Sequence, residues 1–206
     1  HTIPTLEVSE NGISVFMIGQ TVLRKAKTFD EAVAIFQRYR PAAGWTYTLA
    51  SSQENRIASV EMTNQRVHVT EQFDDFHGQT NHFVSQSMLN ANLFLNASVT
   101  EDSQARLFRA KTLAEAWKGG FDVADALGIL SDKWDPFNQE TKGLGNVIAV
   151  HTTLSSSIFD PARGRVFVAN GLAPVSITPF IELPLINDFD PNNFYTDDYS
   201  IMENSS

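Results

Sequence analysis

Apolar residues recur with two different spacings in the first half of the chain. Between residues 13 and 39, Val15, Phe16, Ile18, Val22 and Leu23 fall near a helical period, with Gly12 and Gly19 loosening the start. Thr28 is a good N-cap, and Glu31 follows three residues on, the spacing of a capping box. This opens a second helix over 29–39, whose apolar stripe is Ala32, Ile35, Phe36 and Tyr39. Pro41 and Gly44 stop it. The period then drops to two. Segments 45–50, 57–61 and 66–70 read as three strands, separated by polar turns at 51–55 and 63–65. A meander of this kind delivers the polar residues that follow, Thr80-Asn81-His82-Phe83, to the end of a sheet, where a side-chain amide can face a substrate.

Beyond Phe83 the pattern is helical again. Residues 98–117 predict a long helix capped by Thr100 or Ser98, with Glu101 and Asp102 in its first turn. Its apolar positions are Ala105, Leu107, Phe108, Leu113, Ala114 and Trp117, and Gly119-Gly120 breaks it. A short helix over 121–130 turns Val123, Ala126, Leu127 and Leu130 inward. A polar loop with Trp134, Pro136 and Gly143-Leu144-Gly145 leads to strands over 147–159 and 165–169. Their connector, Asp160-Pro161-Ala162-Arg163-Gly164, is a turn because proline presets φ and glycine supplies a positive φ. Helices and antiparallel strands grouped in this way predict an α+β fold, a layered sandwich in one domain over 1–206, with 186–206 as an acidic tail.

Composition narrows the partners. Two hundred and six residues can bury a sizeable core, and 15 phenylalanines make that core aromatic. The net charge of −9 argues against a nucleic-acid partner, which needs a concentrated basic surface. No cysteine is present, so disulfides, thiolate zinc sites and thiol catalysis by this chain are excluded. No apolar run approaches the ~20 residues of a membrane span. His1 is not an initiator methionine, which suggests a processed product or a fragment.

Three pieces of the chain resemble the acyl-coenzyme A:6-aminopenicillanic acid acyltransferase and choloylglycine-hydrolase-like families of N-terminal-nucleophile hydrolases. The first is the helix Thr28-Phe29-Asp30-Glu31-Ala32, preceded by Gly12-Ile13-Ser14 with Ser14 where the families have proline. The second is the strand 57–61 followed at a suitable distance by Thr80-Asn81-His82-Phe83. The third is Thr153-Leu154-Ser155-Ser156-Ser157-Ile158-Phe159-Asp160-Pro161, followed by a strand ending near Gly171. The resemblance spans about residues 12–185.

It implies a four-layer αββα sandwich that cleaves or re-forms a linear amide C–N bond. The nucleophile it implies is a cysteine whose own α-amino group acts as base. The chain would then be the C-terminal two-thirds of such an enzyme, completed by an N-terminal segment or second chain that carries the nucleophile. Asn81 is the catalytic residue carried over, as an oxyanion-hole donor, and His82 and Phe83 are the candidate substrate-binding neighbours. Arg163 and Arg165 lie where the families use a late arginine, but Leu172 occupies the position after Gly171. The resemblance implies a small-molecule amide or acyl substrate and no cofactor. The rival reading is a non-catalytic member of the fold that binds a small amphipathic ligand.

Other constellations are weaker. Asp74, Asp75 and His77 offer metal-ligand chemistry, but a tight run turns alternate side chains to opposite faces, so no metal site is expected. Ser155-Ser156-Ser157 lacks the glycine-flanked elbow of a serine nucleophile, and Gly143-Leu144-Gly145 lacks the third glycine of a dinucleotide loop.

Overall fold

The computed structural model describes residues 1–71, 76–117 and 119–185. The acidic tail and the Asp74-Asp75 pair lie outside these residues. The described residues form an α+β arrangement of four α-helices with antiparallel sheets.

The largest sheet has strand order β1-β2-β3-β4. Its strands are β1 (Thr2–Ile3), β2 (Gly44–Ser51), β3 (Arg56–Met62) and β4 (Val67–Glu71). Trp45 faces Met62 across β2 and β3, and Val60 faces Val69 across β3 and β4. Two helices, α1 (Val15–Lys25) and α2 (Phe29–Arg38), join β1 to β2. Alternation along β3 decides what each face of the sheet does. Val60 and Met62 point to the helices and form a core with Ile18, Val22, Ala32 and Phe36. Ser59 and Glu61, equally buried, point the other way.

That second face is covered by the chain after β4. Glu61 accepts hydrogen bonds from the backbone N–H of Val84 (2.6 Å) and of Ser85 (3.1 Å), and from the Ser85 hydroxyl. A buried carboxylate is tolerable only with this number of donors. Phe83, Met88, Ala91 and Ile3 form a second buried cluster beside it.

Helix ends follow local chemistry, with shifts. Thr28 caps α2 by accepting from the Glu31 N–H at 3.2 Å. The Glu31 carboxylate reaches the Lys27 N–H and not that of Thr28, so the capping box is closed one residue earlier than expected. Phe16 and Leu23 on α1 are 69% and 81% exposed, because its buried stripe is only Ile18 and Val22. The long helix α3 (Ala97–Ala116) begins sooner than the sequence suggests. Asn96 caps it, accepting from the Val99 N–H at 2.8 Å, and neither Ser98 nor Thr100 does so. Helix α4 (Val123–Leu130) starts after Asp122, which forms a reciprocal capping box with Asp125.

The last part departs most from expectation. A short hairpin joins β5 (Trp134–Asp135) to β6 (Glu140–Thr141). The strand expected over 147–159 is only β7 (Ser157–Asp160). Residues before it run as turns and irregular chain, with backbone hydrogen bonds to other loops: the Ala149 N–H to the Asp132 carbonyl, and the Val175 N–H to the Thr153 carbonyl. β7 pairs with β8 (Arg165–Ala169), which pairs with β9 (Phe180–Pro184). The β7–β8 turn forms as expected, with Gly164 at φ 63°.

Candidate functional site

Thr80-Asn81-His82-Phe83 lies where the chain crosses from the sheet to α3. Thr80 is buried, and its hydroxyl donates to the Ser103 carbonyl at 3.0 Å. The Ser103 hydroxyl, buried in the first turns of α3, then gathers the segment around itself. It accepts the Asn81 backbone N–H at 2.8 Å and lies 2.8 Å from His82 Nδ1. One hydroxyl therefore sets the backbone and ring positions of two neighbouring residues.

The Asn81 side chain is held at both ends. Its Nδ2 donates to the Thr2 carbonyl at 2.9 Å, and its Oδ1 accepts from Arg106 Nη2 at 2.8 Å. A guanidinium can only donate and a peptide carbonyl can only accept, so both partners specify the same amide orientation. Arg106 is itself clamped one helical turn away by Asp102 Oδ2, at 3.0 Å from Nε and 2.8 Å from Nη2. The other Asp102 oxygen accepts the Asn146 N–H at 2.7 Å, tying the clamp to the loop before β7.

The position of Thr2 locates the amide in the fold. Along an antiparallel strand, successive carbonyls point to opposite sides. The His1 carbonyl accepts the Thr46 N–H from β2. The Thr2 carbonyl therefore points away from β2, toward the outer side of β1, which is the end strand of the sheet among the described residues. Asn81 sits at that edge. The second N–H of its Nδ2 has no partner among the described residues.

His82 is half-buried. Burial pulls its pKa below the ordinary histidine value, the Arg106 charge adds to this, and Glu61 partly offsets it. The ring is thus neutral at neutral pH and tethered through Nδ1, a hydrogen-bonding neighbour of Asn81. Phe83 is fully enclosed in the cluster of Ile3, Met88 and Ala91, and its backbone N–H donates to Asn92 Oδ1 at 2.7 Å. Its ring has no free surface for a ligand. Of the three residues singled out in the sequence, Asn81 has its side-chain amide at the outer edge of β1, and Phe83 has no polar side-chain atom.

Arg163 and Arg165 are remote in role. Both pair with Asp160, at 3.1 and 2.8 Å, and brace the β7–β8 turn. The arginine that meets Asn81 is Arg106, which sequence reasoning passed over together with Asp102 and Ser103. A signal was present: Asp102 and Arg106 stand at i and i+4 on a predicted helix, and Ser103 stands on its otherwise apolar side. Among the described residues no group of three histidine, aspartate or glutamate side chains is placed to hold a metal ion. No helix there is long and apolar enough to cross a membrane.

A family profile described as acyl-coenzyme A:6-aminopenicillanic acid acyl-transferase matches residues 2–171. No curated protein and no solved structure matches the chain.

Proposed function

The chain belongs to the acyl-coenzyme A:6-aminopenicillanic acid acyl-transferase family, and from that premise we propose that it supplies the oxyanion donor of an enzyme acting on linear amide C–N bonds. Membership sets the activity class, acyl transfer or amide hydrolysis. The rest of the reading is ours. The observation that carries it is the Asn81 amide, held at the edge of β1 by Arg106 and the Thr2 carbonyl with the second N–H of its Nδ2 unpaired among the described residues.

A strand added at that edge would complete the sheet and bring its first residue beside Asn81, as one layer of a four-layer αββα sandwich. No cysteine exists in these 206 residues, so the nucleophile is placed on that additional segment or chain, as an N-terminal cysteine. Its α-amine takes the thiol proton, and the sulfur attacks the amide carbonyl carbon. The carbonyl π pair moves to oxygen, and Asn81 Nδ2–H donates to that oxyanion. Collapse breaks the C–N bond, and the leaving nitrogen takes the proton from the α-ammonium. Water or an amine then attacks the thioester, re-forming the thiol. His82 and Phe83 serve here by holding Asn81 in place: His82 through Ser103, and Phe83 by anchoring the segment in the core.

The test uses the complete enzyme with its nucleophile-bearing segment. Asn81→Ala is expected to lower kcat by roughly 10²-fold or more, with little change in KM. Arg106→Gln should lower kcat less, and should add almost nothing in the Asn81→Ala background, because it acts through that amide. A thiol-alkylating reagent should abolish turnover while labelling no residue of this chain. Unchanged turnover in Asn81→Ala would remove the oxyanion assignment. Reagent-insensitive turnover by the 206-residue chain alone would put the nucleophile on the wrong polypeptide.

A further inference from the structure

Helix α1 carries no acidic side chain, in a chain that has 24 of them. At 3.6 residues per turn, Phe16, Gln20, Leu23 and Arg24 share the face opposite Ile18 and Val22, the two residues that α1 buries in the core. Met17 flanks that face, and Phe16, Met17 and Leu23 are all exposed. A single exposed apolar side chain is ordinary. Three on one helix of 11 residues form a patch, and a patch marks a surface that meets something. Trp45, at the start of β2, extends it, with its ring edge-on to Phe16 and the centroids 5.4 Å apart.

The charges beside the patch have one sign. Arg24 and Lys25 close α1 and Lys27 follows it; all three are exposed. Residues 11–40 hold five basic side chains, Arg38 and Arg40 included, and two acidic ones. Both acids are engaged: Asp30 pairs with Arg56 at 2.8 Å, and the Glu31 carboxylate accepts the Lys27 backbone N–H at 2.7 Å. Among the described residues Arg24, Lys25 and Lys27 have no ion-pair partner. The helix dipole accounts for cations in the last turn, but not for the apolar side chains next to them.

We propose that this face of α1 docks on an anionic lipid surface. Phe16 and Leu23 stand about 10 Å apart along the helix axis, so a helix lying parallel to the bilayer presents both at once. Ile18 and Val22 stay in the core, so only the outward side chains enter the boundary between headgroups and acyl chains. Arg24, Lys25 and Lys27 lay their apolar stems along that boundary and reach the lipid phosphates. Charge selects the lipid. A protein of net charge −9 approaches an anionic surface only with a basic face turned toward it, and the α1 face is basic. A second copy of the chain fits this face less well, because α1 has no carboxylate to answer the other copy's cations. The proposal is independent of the acyl-transfer reading, and its test does not read turnover.

The experiment is flotation of the full-length protein with phosphatidylcholine vesicles, with and without about 30% phosphatidylglycerol. Binding to the anionic vesicles is expected to be at least about tenfold tighter, and to weaken as salt is raised to about 0.5 M. Arg24→Gln, Lys25→Gln and Lys27→Gln together should weaken it by about tenfold or more. Phe16→Ser with Leu23→Ser should do the same without altering the charge. Both sets change exposed side chains and should leave the urea midpoint nearly unmoved. No flotation with either vesicle would overturn the proposal, and so would equal flotation with both. Flotation that Phe16→Ser with Leu23→Ser leaves unchanged would overturn the apolar half of the contact and with it the docking face. A dimer in sedimentation that the same pair of changes abolishes would give the face to a second copy instead.

Discussion

The four-stranded sheet and the three-stranded sheet are built from similar residues and end in different states. In the first, every residue of β3 from Ala58 to Met62 is buried, because α1 and α2 cover one face and residues 76–92 cover the other. In the second, all five residues of β8 stay half-buried, and Phe159 on β7 is 64% exposed. Ile181 and Leu183 on β9 are also exposed. Strand sequence does not separate them, since Val166-Phe167-Val168 is as apolar as Ile57-Ala58-Ser59-Val60. Cover separates them. A strand gains from the hydrophobic effect only what a second layer removes from water, about 25 cal/mol per Å² of apolar surface.

The contrast can be broken at its strongest point first. Glu61→Ala leaves the two N–H groups of Val84 and Ser85 and the Ser85 hydroxyl unpaired beneath the sheet. Each orphaned buried donor costs about 1–3 kcal/mol. A loss on the order of 5 kcal/mol in urea unfolding is expected, and a loss below 1 kcal/mol would show that water reaches that face. Phe36→Ala empties the opposite face, against Val60 and Met62. It should cost about 3–5 kcal/mol, also read from urea midpoints.

Acid should separate the two sheets. Asp160 is held below the usual carboxylate range chiefly by its hydrogen bond to Arg165, with burial opposing and Arg163 assisting. A carboxyl depressed in the folded state contributes stability that is present above its unfolded pKa, near 4, and is lost as pH falls through its folded value. Arg165 also reaches Glu182 on β9 at 3.5 Å, so these pairs span the three strands. Glu71, paired with Arg56 across β3 and β4, is depressed in the same way, but β3 keeps a covering layer on each face, so hydrogen exchange compared at pH 7 and pH 3 should show β7–β9 amides losing protection before those of β3. Equal loss would contradict the distinction. The smallest effect is expected on the open face of the second sheet. Ile181→Ser should change stability by about 0.5 kcal/mol or less. A cost above 2 kcal/mol would show that another layer covers β9 in solution.

What was legible in the sequence was local. The Thr28 cap, the three-strand meander and the Asp160–Gly164 turn depend on residues a few positions apart, whose interactions survive in any context. The overlong strand at 147–159 failed for a related reason. A run of apolar and hydroxyl residues suits a strand, but backbone pairing needs a neighbour, and most of that run found loops instead.

The site divides in the same way. Asn81 was visible as an amide placed after a meander. Its orientation was not, since it is set by Thr2, 79 residues earlier, and Arg106, 25 residues later. Phe83 read as a neighbour of the site, yet its ring belongs to the core. The sequence alone determined which residues could cap, turn, alternate and donate, because those properties reside in single side chains and short spacings. The tertiary structure decided which donor was left unpaired and which apolar face was covered, because each depends on partners that only the folded chain brings together.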